Sequence, residues 1–412
     1  MTVPRHFPSP CPSPSPLLLL LLLFPSLAHA GFTETPPAGT FVLDEVFHLA
    51  DLSRAYDDSG RAGPLIDPVW RYEPGGGLQG VIVPDARVRF GILVTQLTYG
   101  VTDWLSVAVA VPVVVLNTVS PDLSWRAGDF QQALGRAYSE DDFWQWAASM
   151  GQPRPGHWSG NRGVLSDIVI GARWRFSDHA PWFRRNGLHL ALTVMGAIPT
   201  GTPADPEEIV AAGTTAWDLH SQGEFGVHLS ADKTFVRELD GRLTIGVDVF
   251  YEAFFRHEYR TPRGTKHPLL LGYEPYVGPT YTLDPGDFSG ASLQLDVVPW
   301  KGPARATWIV KGDPSRAEQL PPLVTVSLRY THVHVGQSDW ESDSPLWDWD
   351  REKVWRPGYK NVLAGELRVS LLRVGAPIEL MAGYRNQTWI GGKNTRGSNV
   401  VTTGIRVPMK FW

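Results

Sequence analysis

Ionisable side chains recur at alternate positions in several segments of this sequence. In "WDLHSQGEFGVHLS", the residues Asp218, His220, Gln222, Glu224 and His228 share one parity. Residues two apart on an extended strand point to the same side, so these groups would lie on one face of a sheet. Carboxylates and imidazoles in this arrangement could bind a metal, pair with charges on neighbouring strands, or line a path for a solute.

The metal hypothesis has little support beyond the histidines. His220 and His228 share a face, as do His332 and His334, but two ligands on one strand do not complete a site. The stretch "GQSDWESDSPLWDWDREKVW" interleaves carboxylates with tryptophans and lacks the spacing of a calcium loop. It could form a rim that stacks against aromatic solutes, or an ordinary solvated loop. We predict neither a metal nor a cofactor.

The sequence lacks the motifs that would indicate an enzyme. There is no Gly-x-Ser-x-Gly elbow, and "GTPADP" lacks the lysine of a phosphate loop. His189 and Ser221 fall on opposite parities of adjacent predicted strands, so a nucleophile–base contact is not expected. We therefore predict that the protein is not an enzyme. With 37 basic and 42 acidic residues, a net charge of −5 also argues against a nucleic-acid binder.

The polar positions belong to segments in which apolar and polar residues alternate, as they do in strands with two different faces. In "LTIGVDVFYEAFFR", Val247 and Val249 oppose Asp248 and Glu252. Alternation is compatible with a soluble sandwich, which buries its apolar face, and with a membrane barrel, which turns that face to lipid. The approximate spans of the twelve segments are 41–50, 88–99, 104–115, 166–176, 187–198, 217–229, 242–256, 288–299, 322–334, 361–373, 376–387 and 399–411.

Three features favour the barrel. The segments run to about 10–14 residues, beyond the usual 5–6 of globular strands and close to the 9–11 that cross a bilayer. The predicted loops alternate between long and short, as outer loops and periplasmic turns do. Aromatic residues lie at strand ends, where they suit the membrane interfaces: Phe41, Trp174, Phe176 and Phe411 on the inner side, and Trp217, Tyr251 and Phe255 on the outer side.

We therefore predict an all-β fold, a transmembrane antiparallel up-and-down β-barrel of about 12 strands with long extracellular loops. Residues 1–30 are typical of an export signal, with an apolar run from Leu17 to Phe24 and a small-x-small cleavage site ending at Ala30. The remaining residues, 31–412, form the barrel domain. The only cysteine, Cys11, precedes the apolar run, which suits an oxidising compartment for the mature chain.

The end of the chain, "NVVTTGIRVPMKFW", predicts a strand that pairs with the first strand and closes the barrel. Its last two residues are Phe411 and Trp412. A C-terminal aromatic resembles the signal by which outer-membrane proteins are recognised during assembly. In the usual signal the aromatic is the final residue, whereas here Phe411 has the lipid-facing parity and Trp412 follows it.

Several strand and turn motifs carry a resemblance to a known family. They are "PAGTFVLDEVFHLADLSRAYDDSG", "YGVTDWLSVAVAVPVV", "SDIVIGARWRF" and "LHLALTVMGAIPTGTPADP". In this order they resemble the phenol-degradation meta-pathway outer-membrane proteins over much of 36–230 and more loosely beyond. The resemblance implies a barrel in a Gram-negative outer membrane that moves small hydrophobic or aromatic compounds. It supplies no catalytic residues.

We predict an outer-membrane, porin-like channel through which small hydrophobic or aromatic molecules diffuse, in contact with outer-membrane lipid and with the assembly machinery. The alternative is a structural or adhesive barrel without transport; a lipid-directed membrane enzyme is a third, remote hypothesis. The polar faces either pair across strands and fill the barrel, or line a solute path. The candidate residues are Arg173, Arg175, His220, Glu224, Asp248, Glu252, Arg329, Glu366 and Arg368.

Overall fold

The structure is a computed structural model. It describes residues 32–65, 68–72, 77–128, 136–149, 154, 156–160, 163–201, 223–236, 238–260, 278–303, 320–344, 357–387 and 389–410. The predicted signal peptide and the terminal Phe411 and Trp412 lie outside these residues.

Twelve long strands form the body of the molecule. Their bounds are β1 (Thr40–Tyr56), β2 (Leu78–Thr102), β3 (Leu105–Ala127), β4 (Ile168–Trp174), β5 (Leu188–Ile198), β6 (Glu224–Thr234), β7 (Leu243–Phe254), β8 (Phe288–Trp300), β9 (Val324–Val335), β10 (Gly358–Ser370), β11 (Glu379–Asn386) and β12 (Thr395–Lys410).

Each strand pairs antiparallel with the next in the chain, and the last pairs with the first. The closing pair, β1 with β12, runs in register from Thr40 opposite Lys410 to Tyr56 opposite Thr395. Closure leaves no strand edge with unpaired backbone groups in hydrocarbon. The predicted up-and-down barrel of twelve strands is confirmed.

The second and third strands are much longer than predicted. The sequence suggested 88–99 and 104–115, but β2 and β3 pair with each other from Gly80 opposite Ala127 to Thr102 opposite Leu105. A 25-residue strand is roughly 80 Å long, so this hairpin extends well beyond a bilayer. Its outer part has no lipid-facing alternation, which is why the pattern stopped early. For β6, the predicted residues 217–222 lie outside the described part of the chain.

The two faces of the barrel have opposite character. Outward positions are apolar and exposed, for example Leu229 at 55%, Val249 at 52% and Leu328 at 53%. Inward positions on the same strands carry buried polar groups such as Asp248 and Gln294. The predicted orientation is confirmed, because a soluble sheet would bury the apolar face instead.

The connections differ between the two sides, with two exceptions. The turns after β2, β4, β6 and β10 are short or compact, whereas the segments after β1, β3, β5, β7 and β9 are long; the exceptions are the long connection 301–323 after β8 and the short connection 387–394 after β11. One long connection carries helix α1 (Glu140–Ser149), and the turn after β4 carries a 3-10 turn (Phe176–His179) and the short helix α2 (Pro181–Arg185). Within the described ranges, no helix has the length and apolar character needed to cross a membrane.

Short strands extend the sheet on the outer side of the barrel. Ala62–Pro64, Val69–Tyr72, Trp158–Ser159, Val164–Leu165 and Gly392–Lys393 pair with extended barrel strands. A separate three-stranded sheet of His257–Arg260, Thr280–Asp284 and Asp339–Glu341 is formed by the long outer connections. These additions enlarge the outer surface of the molecule.

Aromatic side chains lie near the ends of the barrel strands, as predicted. On the inner side Phe41 packs on Tyr99 with ring centroids 4.5 Å apart, and Trp174 is 42% exposed. On the outer side Tyr251 and Phe255 are exposed. These positions suit rings that sit at the two interfaces of a bilayer. Trp217 and Phe411, predicted for the same belts, lie outside the described residues.

Candidate solute path in the barrel lumen

Several acidic residues and one histidine line the inner face of β6 and β7. His228 stands opposite Phe250, so its diagonal neighbours on β7 are Asp248 and Glu252. Its Nδ1 lies 3.0 Å from Asp248 Oδ2, and its Nε2 lies 3.6 Å from Glu252 Oε1. Glu224 is buried on the same face. Three of the predicted site residues (Glu224, Asp248 and Glu252) therefore come together here, around a histidine.

Arginines dominate the inner face from β9 to β12. Arg329 Nε donates to Gln294 Oε1 at 2.8 Å, and Gln294 Nε2 in turn donates to Asp296 Oδ1 at 2.8 Å. Arg368 Nη2 lies 2.9 Å from Glu366 Oε1. Many of the lumen charges thus pair across or along strands, as one of the two hypotheses for the polar faces expects.

The seam between β12 and β1 contains a buried ion pair. Arg406 Nε lies 2.6 Å from Asp44 Oδ1, and both side chains are only 4% exposed. The two residues are directly opposite in the closing register. The pair therefore ties the last strand to the first from inside the barrel.

Two buried residues of the lumen were not identified from the sequence. Lys360 on β10 is 1% exposed, and no described residue accepts a hydrogen bond from its Nζ, which lies 5.8 Å from the centre of the Phe288 ring. His48 on β1 is 1% exposed and shares a hydrogen bond with Thr402 Oγ1. Both have the inward parity of their strands, which was the signal that could have found them.

The inner face from β12 through β1 to β5 carries an apolar surface among polar residues such as Gln96, Asn117 and Thr193, and the sequence did not reveal it. We call this surface the apolar wall. Its buried residues pack into one cluster with Leu65 of the first outer connection. They are Ala50, Leu52, Ala86, Phe90, Ile92, Val94, Ala110, Val114, Val169, Met195 and Val400. The lumen therefore combines an apolar wall, whose strands also carry the Asp44–Arg406 pair, with charged faces from β6 to β11.

The segment before β1 lies inside the barrel. Thr33 N donates to Asp232 Oδ2 at 2.6 Å, and the Arg329 guanidinium lies 4.8 Å from the centre of the Phe32 ring. Arg173 Nη1 donates to the carbonyl of Glu34 at 3.1 Å. Because Asp232, Arg329 and Arg173 belong to β6, β9 and β4, residues 32–38 cross the lumen near its periplasmic end.

Two glycines make room for this N-terminal segment. A Cβ at Gly246 would lie 2.8 Å from the Phe32 ring, and one at Gly100 would lie 2.3 Å from the Pro37 carbonyl. Real Cβ atoms do not approach that closely, so larger residues at these positions would displace the segment. The segment leaves a cavity lined by Glu34, Pro36 and inward residues of β2 to β5.

Helix α1 lies on the inner-facing side of the extended hairpin. Phe143 is buried against Ile82 and Trp125, and the Phe143 and Trp125 ring centroids are 5.7 Å apart. Ser139 and Asp142 cap the helix reciprocally: Ser139 N donates to Asp142 Oδ2, and Asp142 N donates to Ser139 Oγ. The cap and the aromatic contacts hold the helix against the hairpin, where it covers part of the outer mouth.

The remaining predicted site residues lie in different places. Arg173 faces the lumen, but Arg175 lies past the end of β4, where its Nη2 is 2.7 Å from Asp178 Oδ2 in the periplasmic turn. His220 is outside the described residues. His332 and His334 point outward, because their parity on β9 is opposite to that of Arg329. His332 shares a hydrogen bond with Asn361. Among the described residues, no three His, Cys, Asp or Glu side chains gather as a metal site.

The closed barrel has an apolar exterior that faces lipid and an enclosed interior that carries both charged and apolar residues. These two surfaces define a transmembrane β-barrel of the outer-membrane type. Proteins of this class reside in the outer membranes of Gram-negative bacteria.

Comparison with solved structures agrees with this class. An outer membrane channel from Pseudomonas putida F1 superposes with a TM-score of 0.51 at 11% identity, over 93% of this chain and 100% of that chain. The CymD monoaromatic hydrocarbon channel gives a TM-score of 0.32 at 9% identity, covering 93% and 95%. The Ralstonia pickettii toluene transporter TbuX gives 0.34 at 6% identity, covering 90% and 90%.

At these scores only the Pseudomonas putida channel supports an argument, and at its identity the argument concerns the fold alone. No protein-family model matches the chain, and no curated protein matches it in sequence. Membership of the phenol-degradation family therefore stays a prediction. The Pseudomonas putida channel shows that the chain has the fold of an outer-membrane channel.

Proposed function

We propose that this protein is an outer-membrane channel through which small hydrophobic or aromatic molecules diffuse. The observation that carries the proposal is the apolar wall. A channel for polar solutes gains nothing from an apolar surface inside its lumen, whereas an aromatic ring can leave water against residues such as Ala110, Val169 and Met195, which line a cavity there.

The charged side has a different role in this proposal. Arg173, Glu224, Asp248, Glu252, Arg329, Glu366 and Arg368 face the lumen and hold its shape through pairs across strands, while some of them contact the solute. Arg175 belongs to the periplasmic turn and is left out of the path. In this proposal the protein supplies passage and no catalysis.

The resemblance to phenol-degradation proteins and the names of the hydrocarbon channels agree with an aromatic solute, but neither assigns one to this chain. We further propose that residues 1–30 are removed on export and that the C-terminal Phe411 and Trp412 are recognised by the barrel-assembly machinery. Replacing both aromatics with serine should then reduce the amount of folded barrel in outer membranes without changing export.

A barrel without transport is the second candidate, since the three-stranded outer sheet and the long hairpin offer a large external surface. Accumulation of a labelled aromatic such as phenol by Gram-negative cells separates the two. Cells lacking the protein should accumulate phenol more slowly than cells that carry it. Equal rates, with the folded barrel present in the outer membrane, would support the structural role.

Two lumen variants make the same test more specific. Glu252→Trp and Arg329→Trp each place a large ring in the path and should slow accumulation toward the rate of cells lacking the protein. Leu328→Trp is the matched control, because residue 328 is next to Arg329 on β9 and faces lipid. Unchanged accumulation in both lumen variants, with normal folding, would count against a conduit.

A further inference from the structure

We propose that Arg385 forms an anion-binding subsite in the lumen, and that the preferred solutes of the channel carry a carboxylate group. This inference rests on the proposed function and adds the chemical group of the solute. The Arg385 guanidinium lies at the border between the charged residues of the lumen and the apolar wall.

A row of inward residues crosses that border. In the strand register Arg329 stands opposite Ala364, Ala364 opposite Arg385, Arg385 opposite Val400, and Val400 opposite Ala50. Neighbouring strands are about 4.8 Å apart, so the two arginine backbones are about 10 Å apart with only a methyl group between them. Arg385 is the last charged residue in the row before the apolar wall begins.

The positive charge of Arg385 has little compensation from the residues around it. Arg329, Arg368 and Arg385 line one cavity, and Glu366 is its only acidic lining residue. Glu366 already accepts a hydrogen bond from Arg368. Asp296 also acts on both Arg329 and Arg368, whereas the electrostatic neighbours of Arg385 are the like-charged Arg329 and the shared Glu366.

Arg385 also has unused hydrogen-bond donors. No described residue accepts a hydrogen bond from Arg385 or forms an ion pair with it. Ala364 and Gly383, which line the same cavity, keep the space in front of it open. An arginine with five donors in an enclosed site, beside a second cation, is well suited to a bidentate carboxylate.

The cavity beside Arg385 indicates which group of a solute it would hold. Val400, Ala50 and Phe90 continue the row beyond Arg385 but are only 1%, 0% and 5% exposed, so the open space lies on the charged side of Arg385. A neutral hydrocarbon in this cavity would leave the guanidinium unsatisfied. A solute that carries a carboxylate, such as benzoate, would pair with it.

Titration calorimetry on the folded barrel in detergent tests this assignment, with benzoate and its uncharged analogue benzamide as probes and empty micelles as the blank. We expect benzoate to bind at least about tenfold more tightly than benzamide, the factor that one charge-assisted hydrogen bond supplies. Equal affinities for benzoate and benzamide would overturn the proposal.

Variants locate the site. Arg385→Gln should abolish the preference for benzoate over benzamide. Arg385→Lys keeps the positive charge but loses the paired N–H donors of the guanidinium group, so it should reduce the preference. Lys360→Met, which removes another lumen cation, and Arg87→Gln, which removes an exposed arginine, should keep the preference. If Lys360→Met loses it while Arg385→Gln retains it, the anion binds elsewhere and the proposal is wrong.

Cell uptake separates this proposal from the proposed function. Labelled benzoate and labelled phenol are offered to cells that carry the wild-type or the Arg385→Gln protein. If cells with the Arg385→Gln protein lose benzoate accumulation and keep phenol accumulation, the result supports both the channel and the Arg385 subsite. Accumulation of both compounds by the variant at the wild-type rate overturns the role of Arg385 in passage while the channel stands. Failure of the wild-type to pass either compound, with the calorimetric preference present, refutes the channel and leaves the subsite.

Discussion

Two arginines in the same lumen are held very differently. Arg406 is fixed by a bidentate approach to Asp44, whereas Arg385 has no partner among the described residues. A buried charge costs free energy unless other groups compensate it, so a paired arginine supports the fold and an unpaired one is better explained by a ligand. The first arginine gives a prediction about stability.

Arg406→Gln should destabilise the barrel by about 3–5 kcal/mol, because it leaves Asp44 buried without its partner at the closing seam. Urea unfolding in lipid bilayers measures the change. The control is Arg87→Gln, since the Arg87–Asp51 pair is exposed and should contribute less than about 1 kcal/mol. Equal effects of the two changes would mean that the seam does not depend on the pair.

Helix α1 gives a pH prediction outside the membrane. Arg136 and Ser139 hold the pKa of Asp142 below its usual value of 3.8 by hydrogen bonding to the carboxylate. Because the folded pKa is lowered, this stabilisation is present above pH 3.8 and is lost as the pH falls through the lowered pKa.

Hydrogen exchange of residues 139–149, corrected for intrinsic rates, should therefore show α1 opening upon acidification below about pH 4 in the wild-type protein. Asp142→Asn should open the helix at neutral pH and show no further acid transition. Asp141→Asn, at the exposed neighbouring residue, is the control and should behave like the wild-type. A wild-type helix whose protection does not decrease at all as the pH falls below about 4 would contradict the cap.

At the scale of elements, alternation predicted every barrel strand because lipid and lumen impose opposite demands on successive residues. It failed where those demands change. The outer parts of β2 and β3 leave the membrane, so their length had no signal. Phe32 and Thr33 belong to an irregular segment without periodicity, and only the tertiary structure places them in the lumen.

The apolar wall was missed for a related reason. In β2 and β3 both faces are apolar, so residues such as Ile92 and Ala110 could not be assigned to the lumen from the pattern. The charged candidates were found because a charge on a membrane strand must face inward. Their partners, such as Asp44 for Arg406, depend on a register that the sequence does not fix.

The outward face of β7 offers a test of the lipid contact. Val249→Arg should destabilise the barrel by about 2–4 kcal/mol, the cost of a charge near the middle of the bilayer. Leu239→Arg is the control, because Leu239 is an exposed residue of the periplasmic turn after β6. Unfolding in bilayers measures both, and a tolerated Val249→Arg would place this face in water.

The N-terminal segment is the element that narrows the lumen. Deleting residues 31–37 downstream of the predicted cleavage site should raise the single-channel conductance in planar bilayers, since Phe32 and Glu34 would no longer cross the barrel. Phe32→Ala should give a smaller rise. If neither change alters the conductance, while the proteins migrate as folded barrels, the segment does not limit passage.

The whole molecule combines three environments in one closed sheet. Its exterior is apolar for lipid, its lumen has one apolar and one charged side, and its outer end is covered in part by α1 and the extended hairpin. A ring-shaped solute with a polar group could stay in contact with both sides of the lumen along its path. Transport by this protein requires that solutes move through that interior and along no other route.

Ala364 and Leu363 allow the most direct test, because these neighbours on β10 face the lumen and the lipid respectively. In a background with Cys11→Ser, Ala364→Cys and Leu363→Cys are modified with a bulky methanethiosulfonate reagent, and accumulation of labelled phenol is measured before and after. We predict that modification at residue 364 lowers the rate to that of cells lacking the protein, and that modification at residue 363 does not. An unchanged rate after complete modification of residue 364 would contradict passage through the lumen.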